Sequence, residues 1–470
     1  MTDLPSDIHW ASAWQLRHAI VARRLSATEV ARHFIARIEA LDSRIHSFIT
    51  LSADAALDQA QAVDRRIARG EAVGPLAGVP VSIKDQFWTK GIRTTGGSCV
   101  YADHVPQEDS LHVARVKAAD GVIIGKTNTP EFGMFWRTVG GVAPECVNPW
   151  DSRRTSGGSS GGAAASVSAG FGPLALGSDA GGSIRLPSAM CGVLGVLPSN
   201  GRVPRHGAFG STIFFSGVGP ITRDVRDAAI FLHLLAQPSV DDPLCRMDEV
   251  PDYPAELDDG VAGLRLGWWE DRSLSTLLDP AVIGTIKKAA LGLSSLGATF
   301  ADDSVTLDTD GIDEAWKVLD FVDRYAALGE ELYADAAARR KLTQYARVRF
   351  ADAKRVSGAR YSRAVRRRAE FIRSLESAFR HCDLVLSPTL GLTAPVIDSV
   401  GPAQRIPALV AYTLAVNLAG FTAASIPCGF VDGLPVGLQV IARPNQEALV
   451  LRACRAYEQA WPWIGRKPVM

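Results

Sequence analysis

The glycine-rich stretch between residues 154 and 198 constrains the fold of this chain more than any other feature of its sequence. It holds two serines in glycine-rich surroundings, Ser159 in Gly157-Gly-Ser-Ser-Gly-Gly162 and Ser183 in Gly177-Ser-Asp-Ala-Gly-Gly-Ser-Ile-Arg185. Glycine adopts backbone conformations that side chains resist, and it lets peptide N–H groups approach a ligand closely. We therefore expect two tight loops, each built to hold one serine.

The sequence around these loops predicts alternating helices and strands. Apolar runs typical of strands occur at 76–83, 121–125, 174–176, 383–388, 424–429 and 437–442. Helical patterns occur at 30–41, 53–70, 110–119, 163–167, 221–235, 280–296, 315–377, 410–418 and 447–460. This alternation indicates an α/β fold in which helices cover a sheet. No long linker rich in proline or serine interrupts residues 1–470, so we expect one domain.

Charge and cysteine content narrow the partners of the chain. Lys+Arg and Asp+Glu both number 50, so no net charge attracts nucleic acid or anionic membranes. The seven cysteines are scattered without a C-x-x-C pair, which favours neither a disulfide framework nor a zinc site. Neither a signal peptide nor a run of about 18 apolar residues occurs. We expect a cytoplasmic protein with a small-molecule partner and no contact with nucleic acid or membrane.

One segment departs from this neutral balance. Between residues 339 and 373, thirteen arginines and lysines accompany only two acidic residues, Asp352 and Glu370. A nucleic-acid contact is one interpretation of such a run. We favour the other, a solvated helical hairpin in which the aliphatic stems of the arginines cover the core.

Three interpretations of the glycine loops compete. A phosphate-binding loop would need G-x-x-x-x-G-K-[ST] or G-x-G-x-x-G, and neither pattern occurs in the stretch. Residues 157–161 match the nucleophile elbow G-x-S-x-G, which follows a strand and works with a downstream acid and histidine. Residues 151–156 do not read as a strand, and the downstream histidines have unremarkable surroundings. The third interpretation pairs both serines with a lysine.

Lys84 is the candidate lysine, because it ends an apolar strand and enters a largely uncharged neighbourhood. A lysine that is desolvated there loses its proton more easily and can act as a base. A serine hydroxyl is a poor nucleophile until a base removes its proton. For a single lysine at a strand end, a salt bridge to Asp85 or Asp179 is the alternative role.

Three blocks carry a resemblance to a known family: Gly78-Val-Pro-Val-Ser-Ile-Lys-Asp85, Gly157-Gly-Ser-Ser-Gly-Gly162 and Asp179-Ala-Gly-Gly-Ser-Ile-Arg185. Lys84 precedes Ser159 by 75 positions, and Ser159 precedes Ser183 by 24. In order and spacing the blocks resemble the amidase signature family of Ser–Ser–Lys amide hydrolases. The resemblance implies one α/β/α domain with a large twisted mixed sheet, a signature core at about 75–230 and a mainly helical covering segment at about 310–378.

The resemblance also implies a role for each site residue. Ser183 is the nucleophile that forms an acyl-enzyme, and Ser159, on a cis peptide after Gly158, relays its proton to neutral Lys84. The oxyanion hole is expected at the backbone N–H groups of Ala180, Gly181, Gly182 and Ser183. The loops are expected to be held by Ser160, Asp179 and Arg185. No metal or organic cofactor is implied.

Apolar residues near the blocks are candidates for the substrate pocket. We expect Met134, Phe135, Trp136, Gly158 and Phe209 to line it, with Phe87, Trp88, Met190, Phe214 and Phe215 as further candidates. Each alone is more often part of a core than of a pocket. Together they favour a hydrophobic or aryl amide over a charged amino acid, and pockets of this kind resemble those of aryl acylamidases, some of whose relatives cleave carbamates.

We therefore predict an amide hydrolase, monomeric or homodimeric, that cleaves the C–N bond of neutral, hydrophobic or aryl amides, with carbamates (urethanes) and esters as further substrates. The alternative is the A-type glutaminase subunit of a tRNA-dependent amidotransferase complex, which the chain resembles around Tyr412-Thr and Asn417-Leu-Ala-Gly. Those subunits carry an aspartate shortly before that Tyr-Thr pair, where this chain has Val410 and Ala411. A catalytically inactive binding protein is a third interpretation, which the complete triad disfavours.

Overall fold

One large sheet dominates the computed structural model, which describes residues 4–210, 212–271, 276–301, 305–399, 401 and 406–470. The strands in chain order are β1 Phe48–Leu51, β2 Pro80–Lys84, β3 Val122–Thr127, β4 Val147–Asn148, β5 Asp151–Thr155, β6 Leu174–Asp179, β7 Leu194–Leu197, β8 Gly217–Thr222, β9 Arg265–Trp268, β10 Thr299–Phe300, β11 Leu384–Pro388, β12 Thr422–Val431 and β13 Leu434–Ala442. Eleven of them form the sheet in the order β1-β3-β2-β6-β8-β7-β12-β13-β11-β9-β10, and β4 pairs with β5 separately.

The large sheet is mixed. β2 runs parallel to both β3 and β6, and β9 runs parallel to β10 and β11. The central neighbours, from β6 through β8, β7, β12 and β13 to β11, are antiparallel. The predicted fold class is therefore confirmed. Because β2 and β6 are adjacent and parallel, they bring Lys84 and Asp179 to the same edge of the sheet.

Helices cover both faces of this sheet. In chain order they are α1 Ala13–Val21, α2 Ala27–Leu41, α3 Ala53–Ala68, α4 Leu111–Ala118, α5 Gly161–Ser168, α6 Arg185–Cys191, α7 Val225–Leu235, α8 Pro280–Gly292, α9 Ile312–Arg324, α10 Glu330–Ala334, α11 Ala336–Lys341, α12 Gln344–Lys354, α13 Gly358–Ala378, α14 Pro407–Ala419 and α15 Glu447–Ala460. Alternate residues of a strand point to opposite faces. In β6, Leu174 and Leu176 join the core beneath α4, α7, α8 and α15, whereas Ala175 joins the core beneath α2, α3 and α5. Within the described ranges, no helix is long and apolar enough to cross a membrane.

The small residues of α5 explain how the first glycine loop reaches the centre of the protein. All eight residues of this helix are buried. A Cβ added at Gly162 would lie 2.6 Å from the backbone oxygens of Asn128 and Ser47, so the helix starts in close contact with neighbouring backbone. The helix predicted over 163–167 is confirmed, and its small side chains permit that approach.

The predicted covering segment is helical, since α9 to α13 span residues 312–378. Two of its arginines form ion pairs at the surface, Arg360 with Glu314 and Arg367 with Asp308. Arg368 instead runs inward and donates a hydrogen bond to the carbonyl oxygen of Leu418 at 2.7 Å. These contacts fit a solvated hairpin whose arginines also cover the core.

Several predicted elements need correction. The helix predicted over 221–235 begins only at Val225, where the Asp224 side chain caps it by accepting a hydrogen bond from the Asp227 N–H. The residues before it form β8. The segment 151–156, predicted not to be a strand, contains β5, which pairs with β4 outside the large sheet and so needs no apolar pattern. The strands β1, β4, β7, β8, β9 and β10 were not predicted.

Candidate active site

Lys84 lies at the carboxyl end of β2 with no solvent exposure. Its Nζ atom is surrounded by three hydroxyl groups: Ser159 Oγ at 2.7 Å, Ser160 Oγ at 3.0 Å and Ser178 Oγ at 2.8 Å. No carboxylate lies within ion-pair distance of Nζ among the described residues, and Asp85 instead lies 3.9 Å from Lys126. The alternative role of Lys84 in a salt bridge is therefore not realised.

The hydrogen-bond network determines which of the three hydroxyls can give a proton to Lys84. The Ser160 hydroxyl donates to the Ser178 carbonyl oxygen at 3.1 Å. The Ser178 hydroxyl donates to Gln86 Oε1 at 2.8 Å, and the Gln86 amide nitrogen is oriented by two carbonyl oxygens. Both hydroxyls can therefore only accept hydrogen bonds from Nζ. A neutral amine has two N–H donors and one lone pair, so its lone pair is left facing the Ser159 hydroxyl.

The electrostatic surroundings favour the neutral form of Lys84. Burial lowers the pKa of Lys84 well below its ordinary value, because desolvation disfavours the ammonium. The positive charge of Arg324 lowers this pKa further, and only the Asp179 charge opposes the shift. The site therefore places an amine whose neutral form is favoured within hydrogen-bond distance of the Ser159 hydroxyl.

The two glycine loops meet at these serines. The peptide bond between Gly158 and Ser159 is cis, as predicted. The backbone N–H of Ser160 donates to the carbonyl oxygen of Ser183 at 3.0 Å, which joins the first loop to the second. Ser159 and Ser183 both line one small cavity. No hydrogen bond joins their hydroxyls in the described part of the chain, so the relay would form when a substrate completes the site.

Asp179 holds the loop that carries Ser183. Its carboxylate accepts hydrogen bonds from the backbone N–H groups of Gly182 at 2.6 Å and Ile184 at 3.1 Å. It also forms a fully buried ion pair with Arg185 at 3.0 Å. Burial acts to raise the pKa of Asp179, but the charge and hydrogen bonds of Arg185 outweigh it and leave the pKa below its ordinary value. The buried carboxylate is thus ionised and organises the whole turn.

Arg185 connects this turn to distant parts of the chain. Its guanidinium donates to Gln439 Oε1 on β13 at 2.6 Å. It also donates to the Thr413 carbonyl oxygen at 2.9 Å and to Asn417 Oδ1, both on α14. Asn417 in turn donates to the carbonyl oxygen of Asp179 at 2.9 Å. The nucleophile loop is therefore fixed by a closed network of buried polar groups.

The geometry narrows the predicted oxyanion hole from four donors to three. The Gly182 N–H is bonded to Asp179, so it is not available to a substrate. Among the described residues, the N–H groups of Ala180, Gly181 and Ser183 have no hydrogen-bond acceptor. The carbonyl oxygens of Ala180 and Gly181 accept from Trp316 Nε1 and Thr413 Oγ1, which fixes both peptide groups. Three backbone donors thus remain around Ser183.

A cavity of about 80 Å³ opens beside Ser183. Besides the loop from Ala180 to Ser183, it is lined by Gly133, Met134, Phe135, Trp136, Gly158, Leu186, Trp316, Asp320, Arg324, Arg349, Val410 and Leu414. Most of these side chains are apolar. Asp320 is buried and paired with Arg324 at 2.8 Å, so its charge is already compensated.

The cavity contains most of the predicted pocket residues and several that sequence reasoning missed. Met134, Phe135, Trp136 and Gly158 line it as predicted. Phe209 does not, because its ring packs with those of Tyr101, His104 and Phe132. Of the further candidates, Phe87 lines the small cavity, whereas Trp88, Met190, Phe214 and Phe215 line neither.

Three of the missed residues come from α9. Trp316, Asp320 and Arg324 are spaced four positions apart, which places them on one face of this helix, and that face lines the cavity. The spacing is visible in the sequence, but nothing there indicates that α9 lies across the nucleophile loop. Among the described residues, no group of three or more His, Cys, Asp or Glu could hold a metal ion.

Comparison with known proteins agrees with this site. A family model for amidases matches residues 29–451. The chain is 35% identical over 486 residues to the A-type subunit of glutamyl-tRNA(Gln) amidotransferase from Moorella thermoacetica, covering 98% of this chain and 99% of that protein. A bacterial aryl acylamidase of the amidase signature family is similar in structure, at 30% identity and a TM-score of 0.89 over 97% of this chain and 98% of the other. The corresponding A-type subunit from Thermotoga maritima gives 28% identity and a TM-score of 0.82, over 98% and 97% of the two chains.

The match extends well beyond the three short blocks that carry the serines and the lysine. It includes the strands that present Lys84 and Asp179, and it includes β13 and α14, which hold Arg185. Sequence, sheet order and site geometry lead to one conclusion: the chain belongs to the amidase signature family.

Proposed function

We propose that the chain is an amide hydrolase that cleaves the C–N bond of a neutral substrate with an apolar or aryl acyl group. The observation that carries this proposal is the environment of Lys84, in which two hydroxyls can only accept hydrogen bonds and the third faces the lone pair of Nζ. This arrangement provides a base with a defined proton donor, Ser159. The donor in turn borders the same cavity as the nucleophile, Ser183.

The acylation step follows from these positions. Ser183 Oγ attacks the carbonyl carbon of the amide, and its proton passes to Ser159 Oγ while the Ser159 proton passes to Lys84 Nζ. The oxygen that becomes negative is held by the N–H groups of Ala180, Gly181 and Ser183. The C–N bond then breaks, and the proton returns through Ser159 to the leaving nitrogen. Water hydrolyses the resulting ester on Ser183 with the same relay.

The apolar cavity supports an apolar acyl group. Its walls are formed by side chains such as Met134, Phe135 and Leu414. A volume of about 80 Å³, on a scale where one water needs roughly 10–15 Å³, leaves room for several heavy atoms of an acyl group. Carbamates and esters present the same carbonyl carbon to Ser183 and differ in the group attached to it, so they are proposed as further substrates.

A glutaminase subunit of an amidotransferase is the second candidate function. It is favoured by the 35% identity to the Moorella thermoacetica protein over almost the full length of both chains. Arg349 also lines the cavity, and its guanidinium lies 4.8 Å from the centroid of the Phe321 ring. The α-ammonium of glutamine, however, finds no uncompensated carboxylate there, since Val410 is apolar and Asp320 is paired with Arg324.

A hydrolysis panel on the purified single chain tests the proposal. It comprises an anilide, a primary aryl amide, an aryl carbamate, an aryl ester and glutamine. The readout is release of ammonia or amine, and for the ester it is release of the phenol. We expect turnover of the aryl substrates and none of glutamine. The Ser183→Ala variant is the control for contaminating hydrolases. Turnover of glutamine without turnover of any aryl amide or carbamate would reject the proposal in favour of the amidotransferase function.

A further inference from the structure

A second, smaller cavity also borders Ser183, and several polar residues contribute to its lining. Its volume is about 20 Å³. Ser183, Ala180 and Arg324 line both this cavity and the larger one. Ser159 lines the small cavity but not the larger one. Ser183 therefore borders both cavities, and the proposed proton relay borders the smaller one.

Several polar side chains around the small cavity are hydrogen-bonded or ion-paired within the protein, whereas the Ser216 hydroxyl is not, among the described residues. The Gln86 amide is hydrogen-bonded at both ends, in part to Ser178. Arg205 forms an ion pair with Asp242 at 3.2 Å. Ser216 lines the cavity with 5% of its surface exposed, and its Oγ is buried with no hydrogen-bond partner in the described part of the chain. A buried hydroxyl without a partner is unfavourable, so a hydrogen-bonding molecule is expected in the cavity.

The sheet places Ser216 beside the oxyanion loop. Ser216 directly precedes β8, whose first residue, Gly217, pairs with Asp179 at the end of β6. Since these strands are antiparallel, the residue before Gly217 lies next to the residue after Asp179, which is Ala180. The Ser216 hydroxyl is therefore held at the wall shared by the oxyanion donors and the relay.

We propose that the small cavity binds the water molecule that cleaves the acyl-enzyme, and that Ser216 Oγ positions it. A water molecule needs a space of roughly 10–15 Å³ and two or more polar partners, and the cavity offers about 20 Å³ with the hydroxyls of Ser216 and Ser159. The inference rests on the proposed amide hydrolysis. It adds to that function a water site and a positioning residue outside the triad.

The chemistry places the water on this side of the carbonyl. The leaving nitrogen takes its proton from Ser159, so it departs toward the small cavity, and the water that replaces it enters from the same side. The water oxygen bonds to the acyl carbon while one of its protons passes to Ser159 and the Ser159 proton passes to Lys84. The bond from that carbon to Ser183 Oγ then breaks, and Lys84 returns the proton through Ser159 to Ser183.

A single-turnover experiment separates the two half-reactions. The full-length chain is mixed with less than one equivalent of p-nitrophenyl butyrate, quenched with acid at successive times and measured by intact-protein mass. The rate at which the acylated mass appears gives the acylation rate, and the rate at which it disappears gives the deacylation rate. In Ser216→Ala we expect the acylation rate of the wild type and a deacylation rate about tenfold lower. A loss of this size is expected when one hydrogen bond to the water is missing. The variant Ser216→Thr keeps the hydroxyl and should deacylate at nearly the wild-type rate.

The matched control is Ser188→Ala. Ser188 is also a fully buried serine whose Oγ has no partner among the described residues, and it lines neither cavity. It should leave both rates unchanged. If Ser216→Ala slows acylation and deacylation equally, or if it deacylates at the wild-type rate, the proposed water site is wrong. Formation of the acylated mass would still support the hydrolase function in either case. An acylated mass that persists in Ser183→Ala would instead reject the proposed function itself.

Discussion

Replacing Lys84 with methionine tests whether this lysine is neutral in the folded chain. Burial lowers the pKa of Lys84 well below 10.5, with the Arg324 charge acting in the same direction and Asp179 against it. In the unfolded chain the ammonium is hydrated and has a pKa of about 10.4. Between these two pKa values the unfolded chain binds one proton more than the folded chain. The free energy of unfolding therefore rises with pH in this window.

The size of the effect follows from the proton count. One pH unit within the window changes the free energy of unfolding by about 1.4 kcal/mol for a single lysine. Lys84→Met removes the titrating group and keeps a side chain of similar shape. The free energy of unfolding of the wild type minus that of the variant should therefore grow with pH at about this slope throughout the window between the two pKa values. Lys126, whose pKa is lowered by burial to about 7, is present in both proteins and cancels.

Urea unfolding, followed by tryptophan fluorescence at several pH values in this window, measures the difference. The hydrolysis assay on the same samples should show a kcat/KM lower by about 10²- to 10⁴-fold, the usual contribution of a general base. Parallel pH dependences of the two unfolding free energies would mean that Lys84 stays protonated in the folded chain. That result, or wild-type turnover by the variant, would refute the assignment of Lys84 as the base.

Three further predictions test other parts of the site. Ser183→Ala should abolish turnover and labelling by a fluorophosphonate, and stoichiometric labelling of this variant, read by intact-protein mass, would move the nucleophile elsewhere. Gly133→Ala should lower kcat by about tenfold or more, because φ is +68° and the new Cβ would lie 3.2 Å from Ser159 Oγ and 3.1 Å from Gln86 Oε1. Its control, Gly70→Ala, has a similar φ of +72° in open space, so it should cost about 1–2 kcal/mol of stability in urea unfolding and keep the wild-type kcat. Activity should persist in EDTA, and a loss that added zinc reverses would contradict this expectation.

The residues of the candidate site could be proposed from the sequence because each lies in a short local pattern. Lys84 ends an apolar strand, and Ser159 and Ser183 lie in glycine loops whose spacing resembles a known family. Local sequence therefore located the groups, but it gave no information on their hydrogen bonds. The engagement of the Gly182 N–H by Asp179 depends on the shape of the turn, which the glycine pattern leaves open.

Contacts between distant segments could not be predicted. Trp316 bonds to Ala180 across 136 positions, and only the packing of α9 brings the two together. Phe209 was predicted in the pocket because it is aromatic, but hydrophobicity does not distinguish a pocket wall from a ring cluster. The strand β8 was missed because it contains Gly219 and Pro220, residues that are rare inside strands.

The buried guanidinium of Arg185 has a consequence for when the protein becomes active during its synthesis. Its partner Gln439 is 254 positions downstream, and its partner Asn417 is 232 positions downstream. Until the ribosome has released these residues, Arg185 and Asp179 lack the groups that fix the turn around Ser183. A nascent chain that already contains Lys84, Ser159 and Ser183 therefore has its reactive groups but no organised site. For the proposed hydrolase, we therefore expect turnover only after β13 and α14 have folded onto the earlier part of the chain.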